Sequence, residues 1–414
     1  MFLPLLSVCR SVATVKPGAW QELTAQPGWS YRRYQTSGEL RDGWVPDRDQ
    51  DNFWLRGSTL AYLAGNPQGV STGGVVLRHP ATGRHVWLTL QSFSFSAAGQ
   101  VADAGKGRTS RWDLRRRLLG PLSFRVLVLG QMLTSGGFGT AGLSELTDEE
   151  AAKVLPTLAD VLLHQTRGCA AAIIKDLYRL DHPVAERLIR GGFHPMPASS
   201  VMMLDVRPTW TTIKDYLADL SSKYRVRYRR ARAKGNGLTR RQLYAPDIRR
   251  YQDRLYELYQ AVTTGARFNA VSIQPGYFGW LGGVGGAAPS AHAAEVRVEG
   301  YFDAAGELVG FITAIGNGPV LHAHYLGMEP TYKHSHHLYH NMLYDLLELA
   351  IDGGYRKLDY GRTAMEIKSS VGATGQNYLV GVRARYRWLN RLIPAFTAAV
   401  YAKEDWTPRR PFRS

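Results

Sequence analysis

Two stretches of this 414-residue chain concentrate side chains able to do chemistry. The first runs SSKYRVRYRRARAKG from Ser221 to Gly235 and carries Lys223, Arg225, Arg227, Arg229, Arg230, Arg232 and Lys234 within twelve positions. On a helix, Lys223, Arg227, Arg230 and Lys234 line one side, and Arg225, Arg229 and Arg232 line its neighbour. Like charges at i,i+4 spacing repel and destabilise an isolated helix, so an anionic ligand is the expected counterweight. The alternative is a solvated face with some carboxylate pairing. The pattern specifies an anion and leaves open which one.

The second stretch, Lys357–Ala373, reads KLDYGRTAMEIKSSVGA. A strand ending at Asp359-Tyr360-Gly361 delivers Arg362 and Thr363 to a strand-to-helix corner, where ligands of open α/β sheets collect. A following short helix places Glu366 and Lys368 near the same rim. Arg362 and Lys368 have the chemistry to hold a phosphate or carboxylate, and Glu366 or Asp359 to orient or deprotonate an amine. A surface ion pair between Asp359 and Arg362 is the competing structural reading. Upstream, His322 and His324 share one strand face, with Leu321, Ala323 and Tyr325 expected opposite. His334, His336, His337 and His340 follow without HExxH or a carboxylate at zinc spacing, so no metal site is expected.

The elements that must position these groups alternate. Val75–His79 and His85–Ser94 read as a hairpin, and Phe124–Leu133 as a buried strand. Thr147 with Glu150 three residues on has capping-box form and opens a helix to Gln165. Ala170–Leu177 and Ser200–Val206 read as strands around a helix at Pro183–Gly191. Trp210–Lys234 and Pro246–Thr264 read as two helices linking two α/β halves. The second half then runs β-β-β-α-β-α-β, with a central amphipathic helix at Leu338–Gly353. The expected fold is α/β (α+β), with mixed central sheets flanked by helices. It divides into domains at 1–208 and 269–414, joined by a basic helical segment at 209–268.

Composition bounds the partners. A chain of 44% apolar and 21% charged residues can bury a real core. A net charge of +17 points to an anionic partner: RNA, phospholipid headgroups, a nucleotide-linked substrate or an acidic carrier protein. Cys9 and Cys169 form neither a disulfide framework nor a zinc pattern, which fits a reducing compartment. No run approaches the roughly 20 apolar residues that span a bilayer. A cytoplasmic location, with contact to the inner membrane surface allowed, is the expectation. The stretch from Arg383 to Arg413 mixes arginine, tryptophan and aliphatics; it reads either as a membrane-interface segment, with Trp388 and Trp406 at headgroup level, or as a terminal strand and helix packing on the domain.

The two motifs together resemble the Fem-like and polysaccharide-associated GNAT acyltransferases of bacteria. Tyr224, Arg225, Arg229, Arg230 and Ala231 match the basic helix of that group, and Asp359, Gly361, Lys368, Val371 and Gly372 match its corner. The resemblance covers about residues 110–390. It implies two tandem GNAT-like domains and direct N-acyl transfer to an amine on an envelope precursor: a peptidoglycan or polysaccharide unit, or a lipid amine of sphingoid type. It implies no permanently bound cofactor. The co-substrate would be an acyl thioester, on CoA or acyl carrier protein, or an aminoacyl-tRNA, and DNA is not a partner. Lys223, Arg225, Arg229 and Arg230 would meet the donor, and His324 or Tyr325 would move the amine proton. Where the family's acyl-CoA enzymes carry a glycine-rich pyrophosphate loop, this chain has Tyr332-Lys333-His334-Ser335-His336-His337, leaving Lys333 as the cofactor contact. The rival reading is a non-catalytic RNA- or membrane-binding protein on a degenerate transferase fold, which the missing loop favours and the charged corner disfavours.

Overall fold

The computed structural model describes residues 18–46, 52–96, 123–263, 271–284, 295–400 and 406–413. Cys9 lies outside these residues, and Cys169 is a buried free thiol. The expected local signals hold. Thr147 caps the helix Asp148–Gln165 through a reciprocal capping box with Glu150, which buries Val154, Leu155, Leu158 and Leu162 on one face. Arg84 on the neighbouring hairpin grips Glu150 at 2.8 Å, which holds that carboxyl down at about 2.

The strands form two sheets. The first half supplies β1 (Gln21–Glu22), β2 (Ser30–Tyr34), β3 (Ser71–His79), β4 (Arg84–Ser96), β5 (Ser123–Leu129), β6 (Thr140–Ala141), β7 (Cys169–Arg179) and β8 (His194–Pro195). Next come β9 (Val201–Asp205), β10 (Thr239–Gln242), β11 (Val296–Phe302) and β12 (Leu308–Asn317). The last are β13 (Val320–Met328), β14 (Lys357–Asp359), β15 (Thr374–Gln376) and β16 (Tyr378–Ala384). The first sheet has the order β1-β2-β3-β4-β5-β7-β16-β8, with β6 on β4; the second is β10-β11-β12-β13-β14-β9-β15. Each contains one parallel pair, β5 with β7 and β13 with β14, bridged by a long helix.

The two halves therefore repeat one plan, three antiparallel strands, a helix, a parallel strand and a short helix. They also trade a strand. β9, at the end of the first half, inserts between β14 and β15 of the second sheet. β16, read from sequence as the closing strand of the second unit, inserts between β7 and β8 of the first. Hydrophobic patterning identifies a strand but not its partner, so this exchange is invisible in the sequence.

Three of the four apolar clusters among the described residues lie on these sheets' faces near the site. The helices Asp148–Gln165 and Pro183–Arg190 cover the outer face of the first sheet. Helices Ile213–Asp219, Ser222–Lys234 and Leu338–Asp352 cover that of the second. Between the sheets lies a shared seam in which Trp54, Val128 and Ile173 belong to the same cluster as Tyr277, Phe311 and Ile315. The single helix expected from Trp210 to Lys234 is broken at Leu220–Ser221. Leu220 is fully buried and bridges to Phe412, and the Ser221 N–H donates to Pro411 O at 2.9 Å, so the C-terminal segment takes backbone groups that a continuous helix would use. The same segment carries Trp406 onto the second unit's core, so Trp406 is not a surface anchor. No described helix is long and apolar enough to cross a membrane.

Candidate active site between two splayed strands

β13 and β14 pair only through His322 and Asp359; β14 stops there while β13 runs on to Met328, so the sheet opens. At the opening β13 is irregular. Ile312 of β12 faces Leu326 and Ala314 faces Ala323, which leaves two residues, His324 and Tyr325, opposite Thr313 alone. This is a β-bulge, a device that re-aims side chains beside functional sites. Thr313 repairs the ladder from its side chain: Oγ1 accepts from Tyr325 N and donates to Tyr325 O, both at 2.8 Å.

The bulge corrects the expected alternation. Tyr325 does not lie opposite His324. Both face the seam, their rings 4.2 Å apart, with Tyr325 packed against Tyr259 and Tyr277. His324 is partly exposed, stands against Trp54 at 5.0 Å, and joins its Nε2 to the Tyr277 hydroxyl at 2.7 Å. Burial, with His322 adding to it, drives the His324 pKa well below its ordinary value, so the ring is neutral. Burial likewise raises the Tyr325 and Tyr277 phenols, which stay protonated. The buried Trp54 indole N–H has no acceptor among the described residues.

Beside the opening, two buried acids hold the corner. Asp359 accepts from Gly361 N at 2.7 Å and Ser135 Oγ at 3.2 Å, and lies 3.3 Å from His322 Nδ1. Asn317 Oδ1 takes the Phe53 N–H, so its amide nitrogen is the donor to His322 Nε2 at 3.2 Å. That wiring puts the His322 proton on Nδ1, facing Asp359. Asp176, in the matching parallel strand of the first sheet, meets Arg362 and Lys175 at 2.5 and 2.6 Å and accepts from Gly136 N. Arg362 also donates to Ser199 O. Burial lowers the Lys175 pKa, opposed chiefly by Asp176. The loop Ser135–Gly136 thus spans the two acids and stitches the halves together.

The corner backbone is strained. Thr363 and Ala364 follow Gly361 into the left-handed region, at φ 66° and 48°, and Asp176 sits at 61°. Left-handed non-glycine residues persist only where surrounding contacts over-determine them, and they gather at functional sites. Lys368 is one such contact. Its buried ammonium donates to Arg362 O at 2.6 Å, and burial drops its pKa to about 8.

A second concavity of about 680 Å³ lies on the far side of the corner helix Met365–Ser369. Lys223, Arg227 and Arg230, one helical stripe, line it together with His337, His340 and Arg409. His337 and His340 frame the start of Leu338–Asp352, whose free N–H groups favour an anion. Burial pushes His340 down to about 4, helped by His337 and Arg227. Among the described residues Glu366 is the one acid in the lining, and Arg409 pairs with it.

The residues singled out in the sequence therefore separate into groups. His324 and Tyr325 turn into the seam between the sheets, while Asp359 and Arg362 meet Ser135 and Asp176 of the first half at the corner. Lys368 reaches the corner but spends its charge on backbone carbonyls, and Arg362 spends its own on Asp176. Glu366 faces the basic cleft, away from Asp359. Lys223 and Arg230 line that cleft. Arg225 instead caps Leu220 O at 2.6 Å, Arg229 is exposed, and Lys333 sits exposed on the helix Pro330–Ser335 outside the lining. Arg227 completes the cleft stripe. Asp176 was legible only as a charged pair with Lys175 inside the apolar run AAIIKDLY. Among the described residues no cluster can hold a metal ion.

Residues 222–369 match the acetyltransferase (GNAT) domain family. The chain superposes on FemX with a TM-score of 0.50 at 10% identity, covering 87% of this chain and 96% of FemX. A tandem GNAT protein from the clavulanic acid biosynthesis pathway gives 0.46 at 11% identity, over 86% and 99% of the two chains. The L-PGS of Bacillus licheniformis gives 0.44 at 12%, over 86% and 97%. No curated protein sequence gives a significant match. Residues 222–369 are therefore a GNAT-type domain, and the chain as a whole shares its fold with FemX.

Proposed function

We propose that the protein moves an acyl or aminoacyl group from an activated anionic donor directly to an amine on a cell-envelope precursor, at the opening between β13 and β14. The observation that carries this reading is the bulge, which turns His324 and Tyr325 into the gap where the parallel pair parts. A donor carbonyl laid against β13 meets strand amides that can polarise it. The neutral amine attacks that carbonyl, the bond to the thiol or hydroxyl leaving group breaks, and the nitrogen loses one proton. His324 accepts that proton in the tautomer whose Nε2–H donates to Tyr277 Oη, leaving Nδ1 free. The expelled thiolate or alkoxide then takes that proton from His324, which returns to its neutral form, and no covalent enzyme intermediate is needed. Asp359 and Arg362 act as positioning residues that fix the corner, and Tyr325 shapes the gap.

The basic cleft is suited to the anionic part of the donor, be it CoA, an acidic acyl carrier protein or the acceptor end of a tRNA. Its lysine and arginines take the place of the absent glycine-rich loop, and Lys333 is peripheral to it. The acceptor class follows from the Fem-type resemblance: a peptidoglycan or polysaccharide unit, or a lipid amine of sphingoid type. We take the protein to work in the cytoplasm, peripheral on the inner membrane.

Acyl-CoA, acyl carrier protein and aminoacyl-tRNA donors, offered side by side to wild type and to His324→Ala and Arg227→Gln/Arg230→Gln variants, test this reading. Turnover with one donor, reduced through kcat by the first variant and through donor KM by the second, supports it. Turnover indifferent to both variants sends the chemistry elsewhere.

A further inference from the structure

Most exposed large apolar side chains of the described residues stand alone, at Val45, Leu180, Val226, Tyr244 and Val262. Three others fall within seven residues: Tyr386 at 55% exposure, Trp388 at 66% and Leu392 at 55%. They follow β16, on the turn that leads through Arg387–Asn390 to the apolar helix Ile393–Val400. Isolated surface apolar residues need no explanation, whereas a group of this kind marks an interaction site.

The group is built onto the fold rather than frayed from it. Arg385, directly before Tyr386, donates from Nη1 to Leu163 O at 3.0 Å and to Thr166 O and Cys169 O at 3.3 Å, and from Nη2 to His164 O at 3.1 Å. Those carbonyls end the helix Asp148–Gln165 and form its turn, where a cation is also favoured by the helix dipole. Arg383 pairs with Asp160 at 3.0 Å, and Asn390 Oδ1 accepts from Ala384 N at 2.7 Å. The polar side of the segment is thus satisfied inward, and the aromatic and aliphatic side is held outward. Besides the Arg383–Asp160 pair, two unpaired arginines flank it. Arg391 is exposed beside Leu392, and Arg167 is exposed on the turn that seats Arg385; neither has an ion pair among the described residues.

We propose that Tyr386, Trp388 and Leu392 form the element that docks this protein on an anionic lipid surface. The rings of Tyr386 and Trp388 sit at headgroup level, where one end of an aromatic is apolar and the other wet. Leu392 reaches the acyl boundary, and Arg391 and Arg167 meet lipid phosphates. This rests on the peripheral-membrane reading above and assigns it a surface. The opposite end of β16, at Tyr378, lies beside Asp176 and Asp359, so the docking element stands about 20 Å from the corner by strand rise. Substitutions here should leave the active site untouched.

The test is co-sedimentation with vesicles of mixed phosphatidylcholine and phosphatidylglycerol, against pure phosphatidylcholine, using wild type, Trp388→Ser, Trp388→Ser/Leu392→Ser and Arg227→Gln/Arg230→Gln. Wild type should bind the anionic vesicles, and each apolar loss should weaken binding roughly tenfold at an unchanged melting temperature. The cleft variant should bind as wild type does. Equal binding by wild type and the double serine variant would overturn this surface while leaving a membrane role standing. No wild-type binding to anionic vesicles would remove the membrane reading itself. A wild-type dimer that the serine variants dissociate in sedimentation velocity would also overturn it, since a second copy would then cover the patch.

Discussion

Replacing Lys368 by methionine should change how stability depends on pH more than it changes stability at neutrality. In the folded protein the Lys368 ammonium is buried against Arg362 O and Gly361 O, and its pKa falls from 10.5 to about 8. At about 1.36 kcal/mol per pKa unit, keeping it charged at pH 7 costs roughly 3 kcal/mol. Below pH 8 both folded and unfolded chains hold the proton, so Lys368 contributes no slope. Between 8 and 10.5 the unfolded chain holds it and the folded chain releases it, so stability rises with pH. Wild type should therefore gain about 2.5 kcal/mol by pH 10 that Lys368→Met does not. At pH 7 the variant escapes the burial cost but leaves two corner carbonyls without their donor, at about 1–3 kcal/mol each, so its net change is small. Urea unfolding of both proteins from pH 7 to 10 reads the difference. Parallel stability curves would mean that the ammonium is solvated and the corner is held in some other way.

Further outcomes follow from other contacts. Asp176→Asn should cost about 3–5 kcal/mol by chemical unfolding, since it leaves Arg362 and Lys175 without their carboxylate; a near-neutral change would mean the clamp is dispensable. Arg227→Gln/Arg230→Gln should weaken donor binding by roughly tenfold or more per charge and flatten its salt dependence, whereas Arg225→Gln, which removes a cap on Leu220 O, should lower the melting temperature without affecting donor binding. The pH profile of kcat/KM should keep its acidic limb well below 6.5, because burial lowers the His324 pKa and the neutral base survives to lower pH; a limb at 6.5 that His324→Ala abolishes would place that ring in solvent. Residues 209–414 expressed alone should fail to fold, since the second sheet would lose β9 from between β14 and β15; a cooperatively folding fragment would contradict the exchange.

Local signals were legible and non-local ones were not. The Thr147–Glu150 capping box set a helix start because it acts over three residues. The stripe Lys223, Arg227, Arg230 was readable because helical spacing alone puts those side chains together. What decided the remaining basic residues was their partners: Arg225 is taken by Leu220 O, and Arg232 by Asp345 at 2.5 Å, across more than a hundred residues of sequence. The corner motif is legible, but its spacing leaves open whether its charges meet a ligand or one another. In the fold, Arg362 meets Asp176 from the other half, and Glu366 points to the opposite side of its own short helix. The bulge at His324 and Tyr325 was beyond reach, because it depends on a register shift against β12 that strand alternation cannot reveal. The strand exchange was hidden for the same reason.

The proposed transfer between the splayed strands is direct and passes through no acyl-enzyme. Mass spectrometry of the purified protein, incubated with each of the three donor classes with and without an amine acceptor, tests it most directly. An N-acylated acceptor is expected from one donor class, with an unmodified protein mass when the acceptor is withheld. Acyl label that accumulates covalently on the protein without acceptor and then passes to the amine, or no amide product from any donor, would contradict it.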